Sequence, residues 1–432
     1  MSVVSDEPST GRPSALVRAL RGIPARERSA FGPQDRAAKP PQWRVVAIGL
    51  VLAVLFLIGV GTVAPATMVG TAALGLALGF TLFHSRFGFT SGWRQLVAVG
   101  QGAAIRAHMI MLGTASVLFA VILSSGFALA GEPSGYVNPI GIPLVVGAFL
   151  FGVGMQVGGS CASGTLFAVG SGQSAIVLTL FGFVVGSMFA VFTHTFWTET
   201  VPRGASVDLA ALLGYPGALA VTLLALSAIT VGTWVVARRR TPPPVERPPS
   251  ARGIARVLRG SWPMWVGALV LAGLNAAVLF VSAAPWGVTS AFALWGSKFL
   301  ELFGADMAGT AYWQVPANAE ALANPVLADR ISNLDVGIMI GALIASAAGG
   351  AFVLHKRVPW KLALGAVLGG IAMGYGARLA GGCNIGAYFS GIASFSLHGW
   401  AWAVVALGGT WVGLRLRPLF GMANPKPADS LC

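Results

Sequence analysis

Two short stretches carry the residues best able to do chemistry, "GGSCASGTLFAVGSG" at 158–172 and "GGCNIGAYFSG" at 381–391. Each sets one cysteine in a glycine-rich break, in a chain of 432 residues with only three cysteines. Glycines beside Cys161 and Cys383 let the backbone turn tightly and leave amides free to face a ligand. A half-helix that begins after such a break adds partial positive charge, which favours an anion. A neutral thiol contributes a weak S–H donor and a soft, polarizable sulfur. This combination suits a soft sulfur-bearing anion better than a hard cation, which takes carboxylates and carbonyls. The plainer reading of any lone cysteine is a small hydrophobe filling a helix contact.

A repeat weakens that plainer reading. With Cys161 set on Cys383, Gly159 falls on Gly381, Gly164 on Gly386, Phe167 on Phe389, Gly154 on Gly376, Gly152 on Gly374 and Gly147 on Gly369. An earlier pair precedes these: "RFGFTSGW" (86–93) matches "PWGVTSAF" (285–292) through Gly88/Gly287, Thr90/Thr289 and Ser91/Ser290. Gln156 and Arg378 occupy equivalent positions, five before each cysteine. An arginine at membrane depth is costly and so a functional candidate, although Arg378 has the alternative of capping a helix end near water. Gly382 and Asn384 flank Cys383, and Asn384 either donates to an anion or braces the turn. These residues, with Gly88 and Gly287 of the first motifs, form the candidate substrate-binding set.

The elements that position them are membrane spans. The chain is 55% hydrophobic and 10% charged, against roughly 25% charged in a soluble domain. Apolar runs able to cross a hydrocarbon core of about 30 Å lie near 45–64, 68–85, 108–130, 138–157, 173–195, 211–237, 263–283, 336–354, 362–379 and 398–416. The segments 86–107 and 285–335 are too polar or broken for simple spans and read as re-entrant or interfacial pieces. The expected fold is therefore an all-α polytopic membrane protein of two inverted-topology repeats, with about ten spans plus interrupted, re-entrant helices. The division expected is a disordered basic extension (1–44), a first transmembrane half (45–237), a Pro/Arg linker (238–262), a second half (263–418) and a tail (419–432).

Charge fits a membrane protein rather than a nucleic-acid binder. The net charge of +14 is concentrated beside spans: eight Arg or Lys in 1–44 and seven Arg in 237–260, against Glu246 alone in the latter. The positive-inside rule places these clusters, and with them both termini, in the cytoplasm; anionic lipid adds to the same preference. Counting spans from there sets the two cysteine breaks on opposite faces, meeting near the midplane. The polar first forty residues do not read as a cleavable signal peptide, and Cys432 in the polar tail reads as inert. The five histidines (His84, His108, His194, His355, His398) have no metal-ligand spacing, so no metal or other cofactor is expected. No nucleotide-binding loop occurs. No carboxylate is expected within a core span to relay protons.

"LFHSRFGFTSGWR" (82–94), "GGSCASGTL" (158–166), "PWGVTSAFALWG" (285–296) and "GGCNIGAYFSG" (381–391), in this order, resemble the YeeE/YedE family of sulfur-compound transporters over most of 68–416. The resemblance implies uptake of thiosulfate, or a related sulfur or selenium anion, through a bacterial inner membrane. It implies that Cys161 and Cys383 line a central constriction and pass the anion along by S–H contacts with its terminal sulfur. It also implies a small cytoplasmic sulfur carrier of the TusA type as a partner; no such domain is expected within this chain. The family commonly places a third cysteine in the first motif, where this chain has Gly88. The competing reading is a membrane thiol enzyme that transfers sulfur or cycles a Cys161–Cys383 disulfide, and against it no base sits beside either cysteine except Arg378 as a neighbouring charge.

Overall fold

The structure is a computed structural model describing residues 39–240, 242, 253, 255–354 and 357–426. Most of the expected extension and linker, the end of the tail, Cys432 and His355 lie outside the described residues. The first part of the chain forms α1 (Trp43–Val63), α2 (Ala66–Ser85), α3 (Phe89–Val99), α4 (Ala103–Ser125), α5 (Ile142–Val157), α6 (Ala162–Gly170) and α7 (Ser174–Phe192). The second part forms α8 (Leu209–Arg240), α9 (Ala255–Arg259), α10 (Met264–Ser282), α11 (Ser290–Glu301), α12 (Pro316–Ala323), α13 (Arg330–Ala348) and α14 (Trp360–Leu379). A π-helical segment, Asn384–Ser390, then runs into α15 (Gly391–Ala393) and α16 (Leu397–Leu416). Two-residue strands β1 (Pro139–Ile140) and β2 (Ala205–Ser206) pair antiparallel at one end of the bundle.

Among the described residues nine helices are long and apolar enough to cross a membrane, and α16, with 20 residues, has spanning length too. Helices are what the sequence must form here, because a lipid-embedded backbone has to satisfy its own polar groups. Leu50, Val51, Val54, Leu55 and Ile58 of α1 are exposed on the outside of the bundle, as a lipid-facing surface requires. The protein is an all-α polytopic membrane protein.

Three boundaries differ from the sequence reading. The third span begins at Ala103, not near 108, so Arg106 and His108 lie inside it. The α8 helix is kinked, with Gly214 at φ 66° ahead of Pro216. The most consequential difference is α13, which starts at Arg330 and not near 336. Asp329 caps it by accepting a 2.7 Å hydrogen bond from the Ser332 amide, a side-chain cap of the usual helix-starting kind. A reading that opens the span after the last charge therefore opens it one and a half turns late. Asp335 lies within the span, which corrects the expectation that no carboxylate does.

The halves are related by inversion. The equivalent helices α5 and α14 cross at glycines in an exchange-symmetric way: a Cβ added at Gly147 would meet the Gly376 carbonyl at 2.5 Å, and one at Gly376 would meet the Gly147 carbonyl at 2.5 Å. One turn or two along, Gly154 faces Gly369 reciprocally, at 2.7 and 2.8 Å. As α5 runs from 147 to 154, α14 runs from 376 to 369, so the two equivalent spans are antiparallel. The same holds for α2 and α10, where Gly70 meets Val281 while Ser85 meets Gly267. Packing repeats the exchange: α5 lies on α16 as α14 lies on α7, and α2 on α13 as α10 on α4. Likewise α1 packs on α13 and α8 on α4, so by packing α8 holds in the second half the place of α1 in the first. That differs from a division at the Pro/Arg linker.

The bundle has two distinct ends. Gln42 donates its amide to Ala347 at 2.9 Å, Trp262 to His84 at 2.8 Å, and Arg106 stacks over Trp234 at 4.6 Å. That end carries Arg44, Arg94, Arg240, Arg415 and Arg417, and no Asp or Glu among the described residues. The opposite end, tied by Leu129 to Phe280 at 2.8 Å and Leu209 to Phe395 at 3.0 Å, carries Glu132, Glu199, Asp208, Asp306 and Glu320.

Adjacent glycines on α16 separate packing from lipid exposure. A methyl at Gly409 would collide with the Phe149 carbonyl and approach Gly152 Cα to 3.0 Å, whereas Gly408 has nothing within 4 Å. Overpacking a tight contact costs about 1–3 kcal/mol. Gly409→Ala is thus expected to lower the thermal midpoint of the detergent-purified protein, and Gly408→Ala to leave it unchanged; equal midpoints for the two variants would contradict this packing.

Candidate functional site

Each cysteine ends an interruption inside a span. At the first, α5 stops at Val157 and Gly159 takes a left-handed φ of +82°. Cys161, in extended backbone, then becomes the N-cap of α6. The Thr165 amide gives the first intrahelical bond, to the Cys161 carbonyl at 2.7 Å, so the amides of Ala162, Ser163 and Gly164 precede the ladder and remain available. Ser163 Oγ lies 3.7 Å from Cys161 Sγ. Gly164 is required by closeness: a Cβ there would strike Ser160 Oγ and stand 3.3 Å from Cys161 Sγ.

The second interruption repeats this with the direction reversed. Gly381 and Gly382 have φ of +60° and +134°, and Cys383 in extended backbone caps the Asn384–Ser390 segment. Cys383 Sγ accepts the Ile385 amide at 3.4 Å, which leaves its S–H free to donate. Gly382 and Gly386 make room for a phenol, since a Cβ at either would lie 3.1 or 3.0 Å from Tyr136 Oη. Both cysteines are buried and unpaired. They belong to one hydrophobic core cluster, they lie within electrostatic reach of each other, and α6 touches the π-helical segment.

The residues five before each cysteine do corresponding jobs. Gln156 Nε2 donates to the Thr90 carbonyl at 3.3 Å, and Arg378 donates to Thr289 Oγ1 at 3.0 Å and Tyr312 Oη at 3.1 Å. Each therefore reaches the threonine of its own half's first motif. Gln156 is fully buried, and its carbonyl accepts from Arg417 at 2.8 Å near the basic end. Arg378 is partly buried toward the other end; among the described residues no carboxylate pairs with it, and its Nε has no partner. Asn384 is 1% exposed and both polar atoms of its side chain lack partners. Asn384 adjoins Cys383 in the chain, Arg378 lies within electrostatic reach of the same thiol, and donors of these kinds favour an anion.

Gly88 is the N-cap of α3, and a Cβ there would run into Ser91 Oγ. Gly287, its counterpart, faces Ile331 Cδ1 at 3.2 Å from a built Cβ. The second first motif is tied to the Cys383 segment through Asn275, which accepts the Trp286 amide at 2.9 Å and donates to Ser390 Oγ at 3.1 Å; Ser390 Oγ in turn donates to the Trp286 carbonyl at 2.7 Å. Tyr136, Tyr312, Asn275 and Asp335 were not singled out from the sequence. The first three sit in loops or apolar helices with no motif of their own; Asp335 had a signal in the Asp329–Ser332 cap. Lys298 and Glu301, three apart on α11, pair at 3.5 Å, and among the described residues no metal-ligand cluster occurs.

Inverted repeats of broken helices are the architecture of a class of membrane transporters. The chain belongs to the sulphur transport family, whose profile matches residues 84–412. It is 27% identical over 341 residues to the thiosulfate transporter TsuA of Escherichia coli K12, covering 78% of this chain and 91% of that one. It is 25% identical over 366 residues to TsuA of Spirochaeta thermophila, covering 80% and 97%. A shorter match, 33% over 159 residues, aligns 36% of this chain with 38% of the probable transporter YedE of Escherichia coli K12. These relatives are named as transporters, which does not favour the thiol-enzyme reading, and the chain is a multi-pass membrane protein of sulfur transport.

An arginine with no carboxylate to balance it is held at a cost to stability, because the desolvation of its charge is unrepaid. Arg378→Gln, which copies the residue at the equivalent position of the first half, is expected to keep or raise the thermal midpoint while weakening anion uptake. A lower midpoint with uptake intact would reverse the assignment of Arg378 from ligand group to structural brace.

Proposed function

We propose that the protein carries thiosulfate, or a closely related sulfur or selenium oxyanion, across a bacterial inner membrane by passing it between the thiols of Cys161 and Cys383. The observation that carries this reading is the pair of buried free thiols, each capping a helix that starts inside a span. The basic end of the bundle faces the cytoplasm by the positive-inside rule. The anion then enters at the end carrying Arg378, Tyr312 and Tyr136, whose guanidinium and phenols attract and strip a hydrated dianion. It reaches Cys383 and Asn384, is handed to Cys161 and the free amides of α6, and leaves past Gln156 and Arg417. The contacts required at the narrowest point are weak: an S–H donor binds a soft terminal sulfur without holding it, as conduction demands.

The name of the TsuA relatives supports thiosulfate as the substrate. Gly88 gives the first motif no thiol, so the hand-over here uses two cysteines. A small cytoplasmic sulfur carrier of the TusA type would receive the product at the basic end.

Purified protein in liposomes is expected to take up radiolabelled thiosulfate, with selenium and sulfur oxyanions competing in order of their softness. Cys161→Ala and Cys383→Ala are each expected to abolish uptake with normal protein yield, and the serine variants to retain a small residue of it. Normal transport by both alanine variants would refute the thiol pathway.

A further inference from the structure

Asp335 is fully buried, and no other Asp or Glu is buried among the described residues. Neither of its carboxylate oxygens has a hydrogen-bond partner. It lies on α13, the span that packs on α2 along one side and on α6, the helix capped by Cys161, along another. Gly170 of α6 sits against the Met339 carbonyl, and Asp335 is one turn before Met339 on the same helical face. The carboxyl group is also within electrostatic reach of Cys383. It therefore lies in the buried layer where α13 meets α6, within reach of the Cys383 break, and is used by none of the steps above.

The charged and titratable groups on the elements around it are bonded elsewhere or, for Arg44, exposed at the end of α1. α2 brings His84, whose Nδ1 lies 2.9 Å from the Gly260 carbonyl. α1 brings Arg44, and α6 brings none beyond its cap Cys161. α9 brings Arg256 and Arg259, bonded to the carbonyls of Ser261 and Lys39 at 3.0 and 3.2 Å. α11 brings Lys298 and Glu301, paired with each other at 3.5 Å. On its own helix and cap, Arg330 donates to the carbonyls of Ala284 and Pro285 at 3.2 and 2.9 Å, and Asp329 accepts the Ser332 amide at 2.7 Å. Among the described residues no cation pairs with Asp335.

An ionised carboxylate buried without a donor is costly by several kcal/mol, and a second negative charge moving past it adds like-charge repulsion. Protonated, the same group is neutral and supplies an O–H donor. We infer that Asp335 is a proton-binding site of the translocation path, so that the anion crosses together with a proton carried on this carboxyl group. The proton is taken from water at the entry end as the anion arrives and is returned to water at the exit end as it leaves. This rests on the transport reading above.

The test is thiosulfate uptake into liposomes holding the purified full-length protein, with the membrane potential clamped by valinomycin and equal potassium. One pH unit, acid outside, is expected to drive about tenfold accumulation per coupled proton. Addition of thiosulfate without an imposed gradient is expected to acidify the lumen, read by an internal pH dye. Asp335→Asn is expected to lose the gradient stimulation, read as the ratio of uptake with and without the gradient, and Asp335→Glu to restore part of it. Wild-type uptake that ignores the pH gradient overturns this inference alone, as does an Asp335→Asn variant that keeps the stimulation. If that variant does not fold, the wild-type ratio and the dye signal decide. Absence of any wild-type uptake overturns the transport reading and this inference with it.

Discussion

Everything in this structure depends on how an unpaired backbone is tolerated at membrane depth. A break in a span exposes amides and carbonyls that lipid cannot satisfy, so a broken helix survives only where protein encloses it. Cys161 and Cys383 sit at two such breaks, and both are enclosed. The enclosure is bought with glycine. Gly147, Gly154, Gly369 and Gly376 bring α5 and α14 into backbone contact exactly where those spans approach their interruptions. Closer approach excludes lipid and water from the breaks, and it also leaves the first amides of α6 ahead of the helical ladder.

Inversion puts the two breaks at equivalent places in the two halves, and the halves depart from symmetry beside them. The threonine of each first motif is held by the residue five before the cysteine, but that residue is neutral Gln156 in one half and charged Arg378 in the other. A symmetric site would bind an anion equally from both ends. Here the guanidinium lies toward the end that carries the acidic residues, where it creates a local exception to an unfavourable field.

Much of this was legible in the sequence because it rests on periodicity and glycine. Spans of 20 residues announce themselves by composition, and the paired breaks do so because Cys161 and Cys383 share a pattern of flanking glycines that survives alignment. What escaped was whatever depends on distance across the fold. Tyr136 comes from a loop after α4 and reaches Gly382 and Gly386, more than two hundred residues away; nothing local marks it. Asn275 sits in an apolar helix and looks like a tolerated polar residue until its bonds to Trp286 and Ser390 are seen. Asp335 was hidden for a different reason. Charge was read as the edge of a span, and the Asp329 cap shows that the helix had already begun.

That last error has a physical lesson for the site itself. A membrane span that keeps a carboxylate one and a half turns inside its cap, with no cation paired to it among the described residues, bears a cost that an alanine or serine at 335 would remove. Leu334 and Val336 beside it on α13 are apolar, and Gly337 and Gly341 show how tightly that helix is fitted against α2. Packing therefore gives no reason for a carboxyl group there. The thiols cannot supply the reason either, since each already has its own cap geometry and neither bonds to Asp335. What remains is the charge state of the group: beside a route for anions, a carboxyl group is compatible with the passing charge only when it holds a proton, and a site that must be protonated to be passed ties the two movements together.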